Sequence, residues 1–374
     1  MCNIVKGCLF TLILIIVCSG CAKNQRVLEK LGMDHTIGYD QLQGKLLVTA
    51  TLPNPKSINE GNDEILTSTA KTSKEAKINI ARESSRSIVT GQLRNTMYSE
   101  EIARSGLKDL IQNLARDPSI SPRVKITLVA GSVHDLLTSS YPGHPETSQY
   151  VDHMLNKNLK NQNIPLVNLH QFTRDLLDDG IDPVAPIIKK AGDNVIIDGI
   201  ALFKDDKYIV RLDPKYNLIF AMTRGNFKQG ELFVELQEDQ KTSSVMLGTL
   251  SSRHKFHVHQ DNKGSWMVDL HLYLKGSIQE YTGTQILTNN IDIEQLAKQI
   301  SHSIQASVNR MVSTMQTNGV DSIGIGKHIR NHMNYKEWNA LKWSEVYPKV
   351  KLNCIVHTKI KEYGQIQQLP DTSK

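Results

Sequence analysis

At 374 residues the chain exceeds one small domain and has room for two or three folded units. Its 39% hydrophobic and 22% charged residues sit near globular averages, which excludes disordered, collagen-like and low-complexity classes; a mean hydropathy of -0.33 excludes a multi-span membrane protein. Lysine and arginine number 44 against 38 acidic residues, and that net +6 is too dilute for the dense basic stripe of a nucleic-acid binder.

Four of the five cysteines, Cys2, Cys8, Cys18 and Cys21, lie at the N-terminus. Cys8 to Val17 run without a charge behind Lys6, too short to cross a bilayer core that takes about 20 residues. The run suits the apolar region of an export signal, and Ser19-Gly20 supply the small residues that a signal peptidase needs. Small-small-Cys after such a run is the bacterial lipobox. Residues 1–20 are therefore expected to be a lipoprotein signal peptide, with Cys21 as the lipidated residue. An uncleaved anchor and ordinary secretion with cleavage elsewhere are the other readings of the segment. Cleavage before Cys21 leaves Cys354 as the one other cysteine, so no disulfide framework is expected. Cys354 lies in the strand-like run Val350 to Val356, where a buried structural thiol is expected.

Thr36–Asp40 and Lys45–Leu52 flank a polar turn and predict a β-hairpin, which Pro53 and Pro55 stop. The Ser/Thr/Asn/Lys-rich residues 56–75 read as a surface loop. Ala76, Ile80, Ser84 and Ile88 recur at helical spacing. Ser99 caps a second helix with Glu100 and Glu101 in its first turn. That helix has Ile102, Leu107, Leu110, Ile111 and Leu114 on its apolar face and stops at Asp117-Pro118. Arg123–Ala130 predicts a buried strand. Asn168 and Gln171 have capping-box spacing before Phe172, Leu176 and Leu177, with Gly180 as the C-cap.

Asp182–Pro186, with two prolines in five residues, reads as a boundary between regions 21–190 and 191–368. Beyond it, strands are predicted at Val195–Phe203, Lys207–Leu212, Glu231–Leu236, Lys255–His259 and Trp266–Leu274. Ile293, Leu296, Ile300, Ile304, Val308, Met311, Val312 and Met315 then define one long helix, which Gly319 ends. A last strand covers Lys349–Ile360. The expected class is α+β: a multi-domain chain of mixed and antiparallel sheets with flanking helices and a long helix in the C-terminal domain.

Candidate chemistry is sparse. His254, His257, His259 and His271 form the densest group of metal-capable side chains, and imidazoles on one sheet face can bind zinc. No cysteine or acidic ligand accompanies them at a metal-site spacing, and exposed strand faces tolerate histidine, so no metal site is assigned. Gly324-Ile-Gly326 lacks the third glycine of a phosphate cradle and reads as a tight turn needing positive φ. No nucleophile-elbow, zinc-protease, Walker or paired-cysteine motif occurs in the body of the chain. Catalytic and cofactor-binding residues are accordingly expected to be none.

Three stretches resemble a known family. Asp182-Pro-Val-Ala-Pro-Ile187 leading to Asp198-Gly-Ile-Ala-Leu-Phe-Lys-Asp-Asp-Lys207 is similar to a D-P-x-x-P then G-I-A-x-F-K-D-D-K pattern. Asp321-Ser-Ile-Gly-Ile-Gly326, with Trp338 and Trp343 behind it, resembles D-x-x-G-x-G and its tryptophan-bearing sequel. Glu100–Gly106 and Leu114–Asp117 resemble an E-x-x-A-x-x-G…R-D pattern. Together with the lipobox, these resemble the Ger(x)C family, the lipoprotein C subunit of bacterial spore germinant receptors. The resemblance implies a non-enzymatic subunit on the outer face of the spore inner membrane. It would stand beside integral-membrane A and B subunits, with membrane lipid joined through Cys21, no cofactor, no nucleic acid and no catalytic residue to transfer. A substrate-binding lipoprotein of a transporter is the alternative reading.

Overall fold

A computed structural model of the chain describes residues 31–363 apart from 34, 53–62, 145, 239–240, 284–286 and 288–289. In chain order its strands are β1 (Leu31–Met33), β2 (Thr36–Leu42), β3 (Lys45–Leu52), β4 (Glu64–Ala70), β5 (Ser87–Val89), β6 (Asn95–Ser99), β7 (Lys125–Val129), β8 (Val184–Ala191), β9 (Asn194–Lys204), β10 (Lys207–Leu212), β11 (Leu232–Glu238), β12 (Lys241–Gln260), β13 (Trp266–Tyr281) and β14 (Lys351–Tyr363). The helices are α1 (Ser73–Glu83), α2 (Glu100–Ser105), α3 (Lys108–Ala115), α4 (Val133–Thr138), α5 (Thr147–Lys160), α6 (Leu169–Leu177), α7 (Asn217–Arg224), α8 (Asn290–Thr317), α9 (Ile325–Arg330), α10 (Tyr335–Ala340) and α11 (Trp343–Val346).

An eight-stranded sheet runs in the order β10-β9-β8-β7-β6-β2-β3-β4. Its centre, β2, β6, β7 and β8, pairs parallel, and an antiparallel meander closes each side. Parallel strands need covering on both faces. One face receives α1, α3 and α6 through Ile80, Ile111 and Phe172, and the other receives α4 and α5 through Leu136, Val151 and Leu155. The chain leaves this sheet after β10 and passes through α7 into a four-stranded sheet of order β11-β12-β13-β14. There β13 and β14 pair parallel, so a crossover must join them, and α8 supplies it. All eight residues of the predicted helical stripe are buried. Each contributes on the order of 1.5–3 kcal/mol by leaving water, an upper bound for so compact a reference chain. The architecture is the α+β arrangement of mixed sheets with flanking helices and a long C-terminal helix.

Several local readings need correction. Residues 64–70, inside the expected loop, form β4 and pair along β3 from Glu64↔Leu52 to Ala70↔Leu46. Their serines and threonines suggested a loop, yet Ile65, Thr67 and Thr69 suit an edge strand. Helix α1 starts at the Thr72 cap and ends before Ser84, which leaves Ile88 to β5. The single helix expected from Ser99 to Asp117 is two, broken where Gly106 takes φ 122°. Strand β12 extends far upstream of Lys255–His259 because Val245 and Leu247 face the core. Strands β8 and β9 form a hairpin, and both belong to the eight-stranded sheet.

Candidate functional site

The one site residue assigned from sequence, Cys21, lies outside the described residues, as does the whole 1–20 segment. What the structure brings together is the set of motif stretches, which meet where the two sheets join.

Asp182, just before β8, is buried. Its Oδ2 accepts the backbone N–H of Asp321 at 2.6 Å, across 139 positions of chain, and its own N–H donates to the Asp321 carbonyl at 2.9 Å. Lys204 Nζ stands 3.3 Å from both Asp182 oxygens, and the Asp205 N–H donates to Oδ1 at 3.3 Å. Asp321 turns the other way: its Oδ1 accepts from Ile325 N–H at 2.8 Å and its Oδ2 from Gly326 N–H at 2.7 Å. Gly324 supplies the left-handed turn between them, with φ 76°. Burial pushes the Asp321 carboxyl up to about 7; the N–H groups of Gly326, Ile325 and Gly324 pull it down while the Asp182 charge adds to the rise. Asp182 is also raised by burial, against the opposing pull of Lys204.

The same joint brings two backbones into contact. A Cβ on Gly180 would fall 2.6 Å from the Gly326 carbonyl carbon and from Lys327 N. One on Gly326 would fall 2.6 Å from Trp343 Cε2. The Gly180 carbonyl accepts the Lys327 N–H at 2.8 Å. Trp343 continues the packing, with its ring centroid 5.7 Å from Trp338 and 5.6 Å from Tyr347. The Tyr347 hydroxyl donates to the Val320 carbonyl at 2.8 Å.

The Lys204–Asp206 turn also reaches the third motif stretch. The Asp206 carbonyl accepts from Leu107 N–H at 3.0 Å, and its Oδ2 accepts from Lys108 N–H at 2.9 Å. Gly106 takes φ 122° there, a conformation that favours glycine, and a Cβ would lie 2.6 Å from that Oδ2. Gly106, Asp182, the turn and Asp321 are thus linked by hydrogen bonds and close contacts. Sequence reading missed Gly180 as a contact residue: it follows α6 with φ 88°, as a helix end allows, but its close neighbours are non-local. It also missed Asp175, buried against the guanidinium of Arg224.

A polar cleft of about 440 Å³ opens over the joint, with Asp178, Asp182, Lys204, Trp338 and Trp343 in its wall. Two of its carboxylates are paired, Asp178 with Arg330 at 2.7 Å and Asp182 with Lys204. The histidines separate. His257, His259 and His271 lie on the outer face of the four-stranded sheet by their register, whereas His254 is turned to the inner side, where its ring is 5.5 Å from Phe256. His357, which sequence reading did not include, stacks beside His271 at 5.7 Å. Among the described residues no group of three or more His, Cys, Asp or Glu is arranged to hold a metal ion. Cys354 is buried, and burial pushes its thiol up to about 12.

Two α+β sheets clamped through internally satisfied aspartates define a two-lobed scaffold, whose motif residues hold the lobes in register. The chain belongs to the GerAC-like family of spore germination proteins. Residues 24–190 match the "Spore germination protein N-terminal domain" and residues 198–364 match "Spore germination B3/ GerAC like, C-terminal". The spore germination protein GerQC of Bacillus cereus is 28% identical over 360 residues, 96% of this chain and 99% of that one. YfkR of Bacillus subtilis (strain 168) is 25% identical over 302 residues, 78% of this chain and 77% of its own. The crystal structure of the GerBC protein shares the fold, with a TM-score of 0.56 at 13% identity, covering 87% of this chain and 96% of that one. Among the described residues no helix is long and apolar enough to cross a membrane.

Proposed function

We propose that this chain is the lipid-anchored C subunit of a spore germinant receptor. It acts without catalysis in nutrient-triggered germination, on the outer face of the spore inner membrane beside the A and B integral-membrane subunits. The observation that carries this reading is the joining, in one sequence, of both GerAC-like regions to an apolar run ending in Ser19-Gly20-Cys21. Each acyl chain contributes roughly 0.8 kcal/mol per buried methylene, so two or three chains on one cysteine hold a folded body stably at a bilayer. Confinement to the membrane raises the effective concentration of the subunit for weak contacts with its partners.

The test is Cys21→Ala in sporulating cells. The variant is expected to leave the membrane fraction and to blunt the germination response to nutrient, read as loss of optical density. Mass spectrometry of the wild-type chain should find an acylated N-terminal cysteine. A variant that remains membrane-bound and germinates normally would overturn the proposal.

A further inference from the structure

The outer face of the four-stranded sheet carries an unusual set of side chains. Over residues 251–260, 266–275 and 351–359 the pairing register places Arg253 opposite Tyr273 and Lys255 opposite His271 on β12 and β13. On β14 it places His357 beside Tyr273 and Lys359 beside Lys275. Alternation then puts Val268, Leu270, Leu272 and Leu274 on the inner face, where they are buried. Outward, Arg253, Lys255, Lys275, Lys351 and Lys359 are all exposed. The one acidic side chain in these strand segments is Asp269, which is half-buried. At the centre Tyr273 is 40% exposed and stacks on His357 at 4.8 Å, with His271 next to it.

Five cations against one carboxylate, spread over three adjacent strands about 4.8 Å apart rather than gathered in a cleft, match a broad negative surface. Aromatic rings with polar edges in the middle of such a patch match the headgroup level of a bilayer, where tyrosine is favoured. We infer that this face docks on anionic phospholipid headgroups. The inference rests on the proposed anchor in one respect. With Cys21 in the membrane, the ten residues to Leu31 hold the start of β1 within about 35 Å of the bilayer, which keeps the folded body beside a charged surface. A lysine or arginine near such a surface is worth roughly fivefold in partitioning.

The test uses the chain from residue 22, which retains every described element and lacks the lipidated cysteine. It is sedimented at about 0.1 M salt with vesicles of phosphatidylcholine, with or without a third phosphatidylglycerol. The protein is expected to pellet with the anionic vesicles and not with the neutral ones. Lys255→Gln with Lys359→Gln should lower partitioning roughly thirtyfold, with unchanged thermal unfolding, while Lys336→Gln on α10 leaves it as it was. Absence of binding to anionic vesicles, or equal losses in the face and α10 variants, would overturn the assignment. Retention on immobilised polyglutamate without vesicle binding would instead assign the face to an acidic protein. Because Cys21 is absent from this assay, failure here leaves the anchor to be judged by Cys21→Ala alone.

Discussion

Replacing Gly180 with alanine tests whether the joint is a close backbone contact or a loose meeting of loops. Gly180 has φ 88°, so a side chain there incurs the left-handed penalty, about 1–2 kcal/mol. Its Cβ would also stand 2.6 Å from the Gly326 carbonyl carbon and Lys327 N, and 3.1 Å from Gly326 Cα. All three are backbone atoms that no rotamer change can move. Pushing them apart adds an overpacking cost of about 1–3 kcal/mol and stretches the Lys327-to-Gly180 hydrogen bond. Gly319→Ala is the control, since Gly319 has φ 66° with nothing within 4 Å of a Cβ. The Gly180 variant should therefore lose about 1–3 kcal/mol more than the control. Urea unfolding followed by tryptophan fluorescence suits the question, because two of the three tryptophans, Trp338 and Trp343, pack near each other at the joint. Equal losses in the two variants would refute the close contact.

Three further outcomes follow from buried groups. Asp175→Ala strips the carboxylate from the largely buried Arg224 guanidinium and should cost about 3–5 kcal/mol in chemical denaturation; a loss below about 1 kcal/mol would show the pair to be dispensable. Cys354, with its thiol raised to about 12, should resist iodoacetamide at pH 8 in the native protein and alkylate once unfolded, as read by peptide mass mapping. His328 is pushed down to about 4 by burial first, with His254, Lys327 and His332 adding to the shift. The neutral ring is thus favoured by folding, so its contribution to stability is complete above 6.5 and is lost as pH falls from there through 4. NMR titration of its ring protons should place the midpoint near 4, and a midpoint near 6.5 would contradict its burial against Phe256, whose ring centroid is 4.0 Å away.

Features decided by neighbours in sequence were legible. The β2–β3 hairpin follows from alternation around a short polar turn, and the α6 start from the Asn168 and Gln171 capping box, which forms in full. Helix α8 follows from its apolar period, and the Gly324 turn from a glycine with no other purpose. Features decided by distant partners were not. Strand β4 exists because β3 offers it a ladder, and the break at Gly106 because Asp206 approaches from 100 positions away in sequence. His357 joins the histidine row because β14 pairs parallel to β13 after the α8 crossover, a register that no local pattern specifies. The motif stretches could be recognised one by one, while their convergence is a property of the fold.

That convergence bears on what the motif residues do. A carboxylate available to a substrate needs free lone pairs, and these have few. Asp182 accepts from two backbone N–H groups and Lys204, and Asp321 spends one oxygen on each of Ile325 and Gly326. Groups so committed gain little by meeting a ligand and lose much by letting go of the backbone. Their effect is mechanical: they fix the start of β8 against the turn before α9, and so fix one sheet against the other. The role proposed for the chain, presenting surfaces to a membrane and to partner subunits, depends on that fixed relation. Substitutions at Asp182 or Asp321 should then impair assembly by loosening the geometry between lobes rather than by removing a chemical step.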